Sequence, residues 1–582
     1  MQRTAHRLTR NTICCAIPSL LVLPAFAGTP AALDRVPQSA QAVVVVPDVG
    51  ELLNDINAIN AMLGDNGEPM VMMVTSMVRG MPGINLGGSM AGVLQFQPNQ
   101  EDPDMLLLLP VSDYGAITQG QDAVNGVNEF PMGDQTMYLR DLGGGYAVMG
   151  EIAELVRSYD GAAGNLKAHG DALGRAGGRV ADHNDIFIYV NVPQFHDQID
   201  MAMAQMEEQA EMVAMMGGAE AAQGFDQMVS SLKSITNDAL SFSAGMSFDQ
   251  NAGVSFDFGL QFKNESSTAG YLSNNGNAEK YFNNVPNMDY FFAASYDMSG
   301  AGIQKFMGEY MEMVKKMDAS GMIAGMDMNA LLSGLKGGVQ VMGASDNIMG
   351  GLFTNSYYYA EVENPGAYVD SMRTMYEGMD EQMEEMKKAG VTAHGEVAKD
   401  ATQINGVNAY AYSFTMDMTQ MQGMNGGMGA NPAMIMQMMF GGNGPSGYLA
   451  PVGENGLVMT MSQSPELLTK AVNGAKGKDT MASVAAMKQT RDMLPDNRVM
   501  EMYVAADHLA NTAGPMAMMF GLIPEFEPIE SLPPIGMGLT ADGGGMLFRT
   551  VIPMQTISKT MSVMSDMQQM QRGGGNNNQM DF

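Results

Sequence analysis

The chain has 582 residues, 46% of them hydrophobic, and a formal net charge of −33 at pH 7. At roughly 100–200 residues per domain, that is length for more than one domain and ample apolar material for a core. Lys and Arg number 30 against 63 Asp and Glu, which disfavours nucleic acid and anionic membrane surfaces as general partners, since both require basic patches.

Residues 1–27 read as a signal peptide. Arg3, Arg7 and Arg10 precede an apolar stretch from Ile13 to Phe26, and Ala25-Phe26-Ala27 is a small-x-small cleavage signal. The stretch is too short for a comfortable membrane span, and no later apolar run is long enough to cross. The mature chain, from Gly28, is expected to be exported, periplasmic or secreted, with no transmembrane segment. Both cysteines, Cys14 and Cys15, lie in the leader, so disulfide and thiol chemistry are not expected beyond it.

Self-comparison organises the rest. "VPQSAQAVVVVPD" from Val36 and "VPNMDYFFAASYD" from Val285 share the Val-Pro and a closing acid, Asp48 and Asp297. Both lead into helical periodicity, "LLNDINAINAML" and "IQKFMGEYMEMV". In the same order, Met105–Ala116 matches Tyr357–Ala367, "VNGVN" (Val124–Asn128) matches "INGVN" (Ile404–Asn408), Tyr146–Val156 matches Leu457–Leu468, and Asp185–Val192 matches Val499–Ala506. Asn-Gly in both copies predicts type I′ hairpins. Each copy closes on a hairpin. In the first, Leu240, Phe242, Val254, Phe256, Phe258 and Leu260 alternate with small or polar residues, the pattern of a half-buried antiparallel strand. The expected fold is α+β: tandem copies at 28–272 and 273–565, each a mostly antiparallel sheet with Met-rich helices on one face, then a polar low-complexity tail at 566–582.

The opening "AALDRVPQSAQAVVVVPDVGEL", followed by an "NGV" hairpin, resembles a family of exported bacterial proteins known as a domain of unknown function. Its members start with a comparable Pro-Ala-Val-Asp stretch and often carry the module twice. The resemblance implies an exported α+β repeat protein and carries over no catalytic residue.

There are 63 methionines and no tryptophan. In "SMRTMYEGMDEQMEEMKK", Met372, Met375, Met379, Met383 and Met386 recur at helical spacing, and methionine fills a helical core with little loss. Beyond packing, flexible Met-lined surfaces accept varied apolar ligands or peptide helices. Thioethers also select Cu(I) or Ag(I), and Met416, Met418, Met421, Met424 and Met428 have M-x-M and M-x-x-M spacing. "MQGMN" resembles the repeats of periplasmic copper-resistance proteins, which interleave Asp and His; this stretch has Asp417 and no His. These methionines sit in a Met/Gly-rich insertion at about 416–447. From Gly126 to Tyr146 the first copy takes twenty residues, whereas Gly406 to Leu457 takes fifty-one. A long loop of this kind is functional or disordered, and an apolar one should be covered. Met434, Ile435, Met438, Met439 and Phe440 are therefore candidates for a docked partner or ligand surface.

Catalytic signatures fail. His169, His183, His196, His394 and His508 show no zinc spacing. "GGSMAG" at Ser89 misses the nucleophile-elbow pattern. "GMGLTA" (Gly536–Ala541) imitates a phosphate loop but runs into "DGGG" and another strand, so it reads as a hairpin. Asp48 and Asp297 read as turn or cap residues. The expectation is a non-enzymatic exported protein, without cofactor, that binds a hydrophobic ligand or a protein partner. A soft-metal protein and a structural or adhesive envelope component are the alternatives.

Overall fold

A computed structural model describes residues 29–63, 80–96, 103–132, 135–272, 275–317, 334–344, 351–382, 392–404, 406–417, 432–442, 444–519, 521, 523 and 525–563. The expected leader at 1–27 and tail at 566–582 lie outside these residues.

Among the described residues, twenty strands join in one antiparallel sheet. The first nine are β1 (Ala42–Val46), β2 (Met90–Gln95), β3 (Asp104–Pro110), β4 (Asn128–Met132), β5 (Gln135–Gly143), β6 (Tyr146–Gly150), β7 (Ile186–Asn191), β8 (Ala239–Asp249) and β9 (Gly253–Phe262). The other eleven are β10 (Tyr290–Asp297), β11 (Leu335–Gly343), β12 (Tyr357–Val362), β13 (Thr392–Val397), β14 (Thr402–Ile404), β15 (Val407–Asp417), β16 (Ser446–Val452), β17 (Gly456–Thr460), β18 (Arg498–Val504), β19 (Ile535–Asp542) and β20 (Gly545–Pro553). Strands β9 and β20 pair antiparallel at the centre. Outward from β9 the order is β8-β7-β1-β2-β3-β6-β5-β4. Outward from β20 it is β19-β18-β10-β11-β12-β17-β16-β15, with β13 and β14 beside β15. The residues on either side of 272 thus share one sheet.

The turns follow their sequences. Asn125 (φ 53°) and Gly126 (φ 82°) form a tight reversal closed by Val124 N to Val127 O at 2.8 Å, the geometry that a type I′ Asn-Gly pair supplies. Gly543 (φ 60°) and Gly544 (φ 72°) turn β19 into β20, so "GMGLTA" is a strand, as its "DGGG" exit requires.

Helices of seven residues or more include α1 (Val49–Leu63), α2 (Leu166–His183), α3 (His196–Asp238), α4 (Ala301–Met317), α5 (Pro365–Gln382), α6 (Pro432–Phe440), α7 (Pro465–Ala475), α8 (Ala485–Arg491) and α9 (Ala506–Met519). Helix α2 lies across β7, β8 and β9 and reaches β20. Its buried Leu173, Ala176, Val180 and Ala181 recur at helical spacing, and Leu173, Val180 and Ala181 join Val43, Val45, Phe187 and Tyr189 in one core. Leu467, Leu468, Ala471 and Val472 of α7 do the same for Val339, Tyr357 and Tyr503 in a second core. Strand β20 serves both, with Leu547 in the first and Val551 in the second.

The expectation that Met-rich helices cover the sheet holds for α5, whose Met372 joins Val397, Tyr412 and Leu449 in a core, and not for α2, α3 or α4. Helix α2 contains no methionine. The Met-rich α3 and α4 pack chiefly on one another, while Met-containing α5 packs on β13. Segment α3 leaves β7 and returns to its neighbour β8, where Asn191 is paired with Ser241. A straight helix of its 43 residues would end about 65 Å away at 1.5 Å per residue. It doubles back instead, which brings Lys233 Nζ to 3.9 Å from Glu207 Oε1.

Candidate functional site

The two faces of the central strands are inverted relative to the common pattern, in which the covered face is apolar and the bare one polar. Under α2 and its neighbours lie Ser241, Ser243, Ser255, Asp257, Gln261, Thr540 and Arg549, all buried; Asp257 is 0% exposed. On the other side β9 presents Val254, Phe256, Phe258 and Leu260, with Phe258 45% exposed. The apolar residues of the β8–β9 hairpin, expected to be the half-buried side, therefore form the open one.

The buried polar face is largely paired within itself, with Asn184 Oδ1 and Arg491 Nη2 left without a hydrogen-bond partner among the described residues. Arg549 grips Asp257 with both arms, Nε to Oδ1 at 2.7 Å and Nη2 to Oδ2 at 2.6 Å. Asn184 Nδ2 donates to the same carboxylate at 2.9 Å. Buried Glu501 accepts from Arg498 Nε at 2.8 Å and Arg491 Nε at 3.2 Å, and from the Tyr503 hydroxyl. Burial pushes the Tyr503 phenol well above its ordinary range, reinforced by the Glu501 charge. Gln261 fills a break in α2. At Gly174 the backbone leaves the helix (φ 58°, ψ −152°), and Gln261 Oε1 accepts from Arg175 N at 3.1 Å while its Nε2 donates to Gly543 O at 3.1 Å. The amide restarts the helix and ties it to the β19–β20 turn. Arg175 Nη1 adds two 2.8 Å bonds to Asp542. Paired carboxylates and guanidiniums this deep tie the central strands to one another.

The open apolar face extends over six strands because cross-strand partners point to the same side. Phe258 lies opposite Phe548 and Ala244; Phe548 lies opposite Leu539, and Leu539 opposite Met500. Ala244 in turn lies opposite Ile188. The Phe258 and Phe548 rings are 6.4 Å apart. Ile188, Met246, Phe258 and Met500 are exposed, and Val254, Phe256, Leu260, Met537, Leu539, Met546, Phe548, Thr550 and Ile552 are half-buried. None of these residues is charged, in a chain of net charge −33. Contiguous exposed apolar patches are uncommon on folded proteins, where such side chains are normally scattered singly. One end is bordered by α1, whose Leu52 and Leu53 pack with Val46, Met90 and Ile186.

The residues nominated from sequence fall elsewhere. Met418, Met421, Met424 and Met428 lie outside the described residues, and Met416 is the last residue but one of β15, with its side chain outside them. Met434 and Ile435 belong to α6, where their side chains are likewise not described. Met438, Met439 and Phe440 are half-buried. The carbonyls of Met438 and Met439 accept from Leu352 N and Phe353 N at 2.8 and 2.9 Å, and the Phe440 ring sits 5.8 Å from that of Phe353. The end of α6 is thus held by its own chain. Ser89 is buried and accepts from Ala32 N at 2.8 Å. His169 is buried with Nε2 2.9 Å from Val36 O, and burial lowers its pKa. Asp48 caps α1 through Glu51 N at 2.9 Å, and Asp297 accepts from Ser299 N and Asn277 N at 2.9 and 2.8 Å, which are turn and cap roles. Among the described residues no group of three or more His, Cys, Asp or Glu is placed to hold a metal ion, and no helix is long and apolar enough to cross a membrane.

Comparison with protein-family models, curated proteins and solved structures gives no match.

Proposed function

We propose that this is an exported, non-enzymatic binding protein whose open sheet face takes a hydrophobic ligand or the apolar surface of a protein partner. The observation that carries the reading is the Phe258–Phe548 pair, uncharged and open in the middle of a six-strand apolar face. Burying such a face gains about 25 cal/mol per Å² of apolar area removed from water. A flat sheet lined with Phe and Met tolerates ligands of varied shape. Export is read from the leader-like first 27 residues and from the resemblance to exported repeat proteins.

The chain is further read as a tandem duplication joined at β9–β20. Support comes from the strand order, which repeats outward from that pair, and from Asp257 and Arg549, each the fifth residue of its strand and each opposite the other. Native mass spectrometry of the full chain, purified from its host without detergent, tests the binding function. A lipid-sized adduct or a stoichiometric partner supports it; a bare chain contradicts it.

A further inference from the structure

We infer that Met246 and Met500 are oxidation sites through which peroxide turns the open face off; the inference rests on the binding reading above. Both residues are 38% exposed on that face. Met246 lies opposite Phe256 and Ile186, and Met500 opposite Leu539 and Tyr296. By contrast, Met149, Met481 and Met487 are 4%, 1% and 1% exposed in the cores. The only cysteines of the chain are Cys14 and Cys15, so no thiol beyond the leader competes for oxidant. The thioether sulfur attacks the peroxide oxygen and the O–O bond breaks. One oxygen ends on Sδ, the sulfur loses two electrons, and the other oxygen leaves as water. The product sulfoxide is a strong hydrogen-bond acceptor. Set beside Phe256 and Ile186, or beside Leu539 and a Tyr296 whose hydroxyl is already paired with that of Tyr358, it meets few donors among the described residues under an apolar ligand, and an unsatisfied buried acceptor is costly.

The test uses the full chain, hydrogen peroxide, and Nile red, a neutral dye, as the probe. Peptide mass spectrometry should find Met246 and Met500 oxidised before Met149, Met481 and Met487. Dye affinity should then fall about tenfold, the size expected when one buried acceptor is left unpaired. In Met246→Leu/Met500→Leu, dye affinity after peroxide should match that variant's own untreated value. Untreated protein that takes up no dye at all overturns the binding reading and this inference with it. Dye uptake that survives oxidation of both methionines, or that peroxide abolishes equally in the double variant, overturns this inference alone.

Discussion

Asp257 and Arg549 meet face to face where β9 pairs with β20, joined by two hydrogen bonds of 2.7 and 2.6 Å and buried on all sides. The pair sits under α2, on the polar face of the strands whose other side is bare and apolar. A desolvated ion pair is tolerated only with its partner in place. Arg549→Met should therefore cost about 3–5 kcal/mol in denaturant unfolding, because it strands a carboxylate in the interior. Asp257→Leu/Arg549→Met should cost less than Arg549→Met alone, since no unpaired charge remains. A double variant less stable than the single one would show that the contact supplies more than charge compensation.

The break in α2 makes a second prediction. A Cβ at Gly174 would stand 2.3 Å from the Gln261 side chain, at a φ of +58°. Gly174→Ala must both adopt a glycine-only conformation and evict the amide that caps the restarted helix. The expected loss is at least about 2 kcal/mol in chemical denaturation. An unchanged midpoint would mean that α2 can repack as one helix.

A third prediction concerns pH. Burial pushes the Asp55 carboxyl from 3.8 up to about 6, helped by repulsion from Asp185, Glu51 and Asp249. The folded pKa lies above the unfolded one, so folding favours the protonated form. That contribution is fully present below pH 3.8 and is lost as the pH rises through about 6. Relative to wild type, Asp55→Asn should gain melting temperature as the pH is raised from about 4 to about 7. A wild-type-minus-variant difference that stays flat across this range would remove Asp55 as the cause. Asp55 lies in α1, so the protection of the Val49–Leu63 amides, taken relative to their intrinsic exchange at each pH, should fall over the same range.

The Met/Gly-rich connection makes a fourth. Two backbone hydrogen bonds and a ring contact fasten the end of α6 to Leu352 and Phe353. Deleting 418–444 removes that fastening, and should lower the melting temperature more than replacing 418–431 alone by a short Gly-Ser linker. Equal effects would show that α6 contributes nothing to the fold.

Much of the fold was legible because strands announce themselves by alternation and turns by chemistry. Asn125-Gly126, the Asp542–Gly545 turn and the β-runs at Val43 and Phe291 all fall where the pattern places them. The sequence pairings at Met105, Tyr146 and Asp185 also fall on β3, β6 and β7, with β12, β17 and β18 as their counterparts. Helix α2 was not legible. Four glycines interrupt Leu166–His183, and a side chain nearly ninety residues away, Gln261, repairs the break. The candidate site was legible only by half. Alternation in "GVSFDFGLQF" separates Phe256 and Phe258 from Ser255 and Asp257, but period two does not say which side a helix will cover. The preference for apolar interiors pointed to the wrong side. What reverses it is a set of distant partners, Arg549 and Asn184 for Asp257 and Arg175 for Gln261, that make the polar side the buried one. The methionine-dense stretch drew attention by composition, whereas Phe258 and Phe548 stand out only once β9 and β20 are seen to pair.

The most direct test of the binding function replaces that pair. The full-length Phe258→Ser/Phe548→Ser variant changes two side chains on the open face and leaves the Asp257–Arg549 side untouched. Nile red titrated with wild type and variant at equal concentration should show affinity falling about tenfold or more, as two buried aromatic contacts are lost, while the melting temperature holds. Dye affinity unchanged in a folded variant would contradict the assignment of this face as the binding surface.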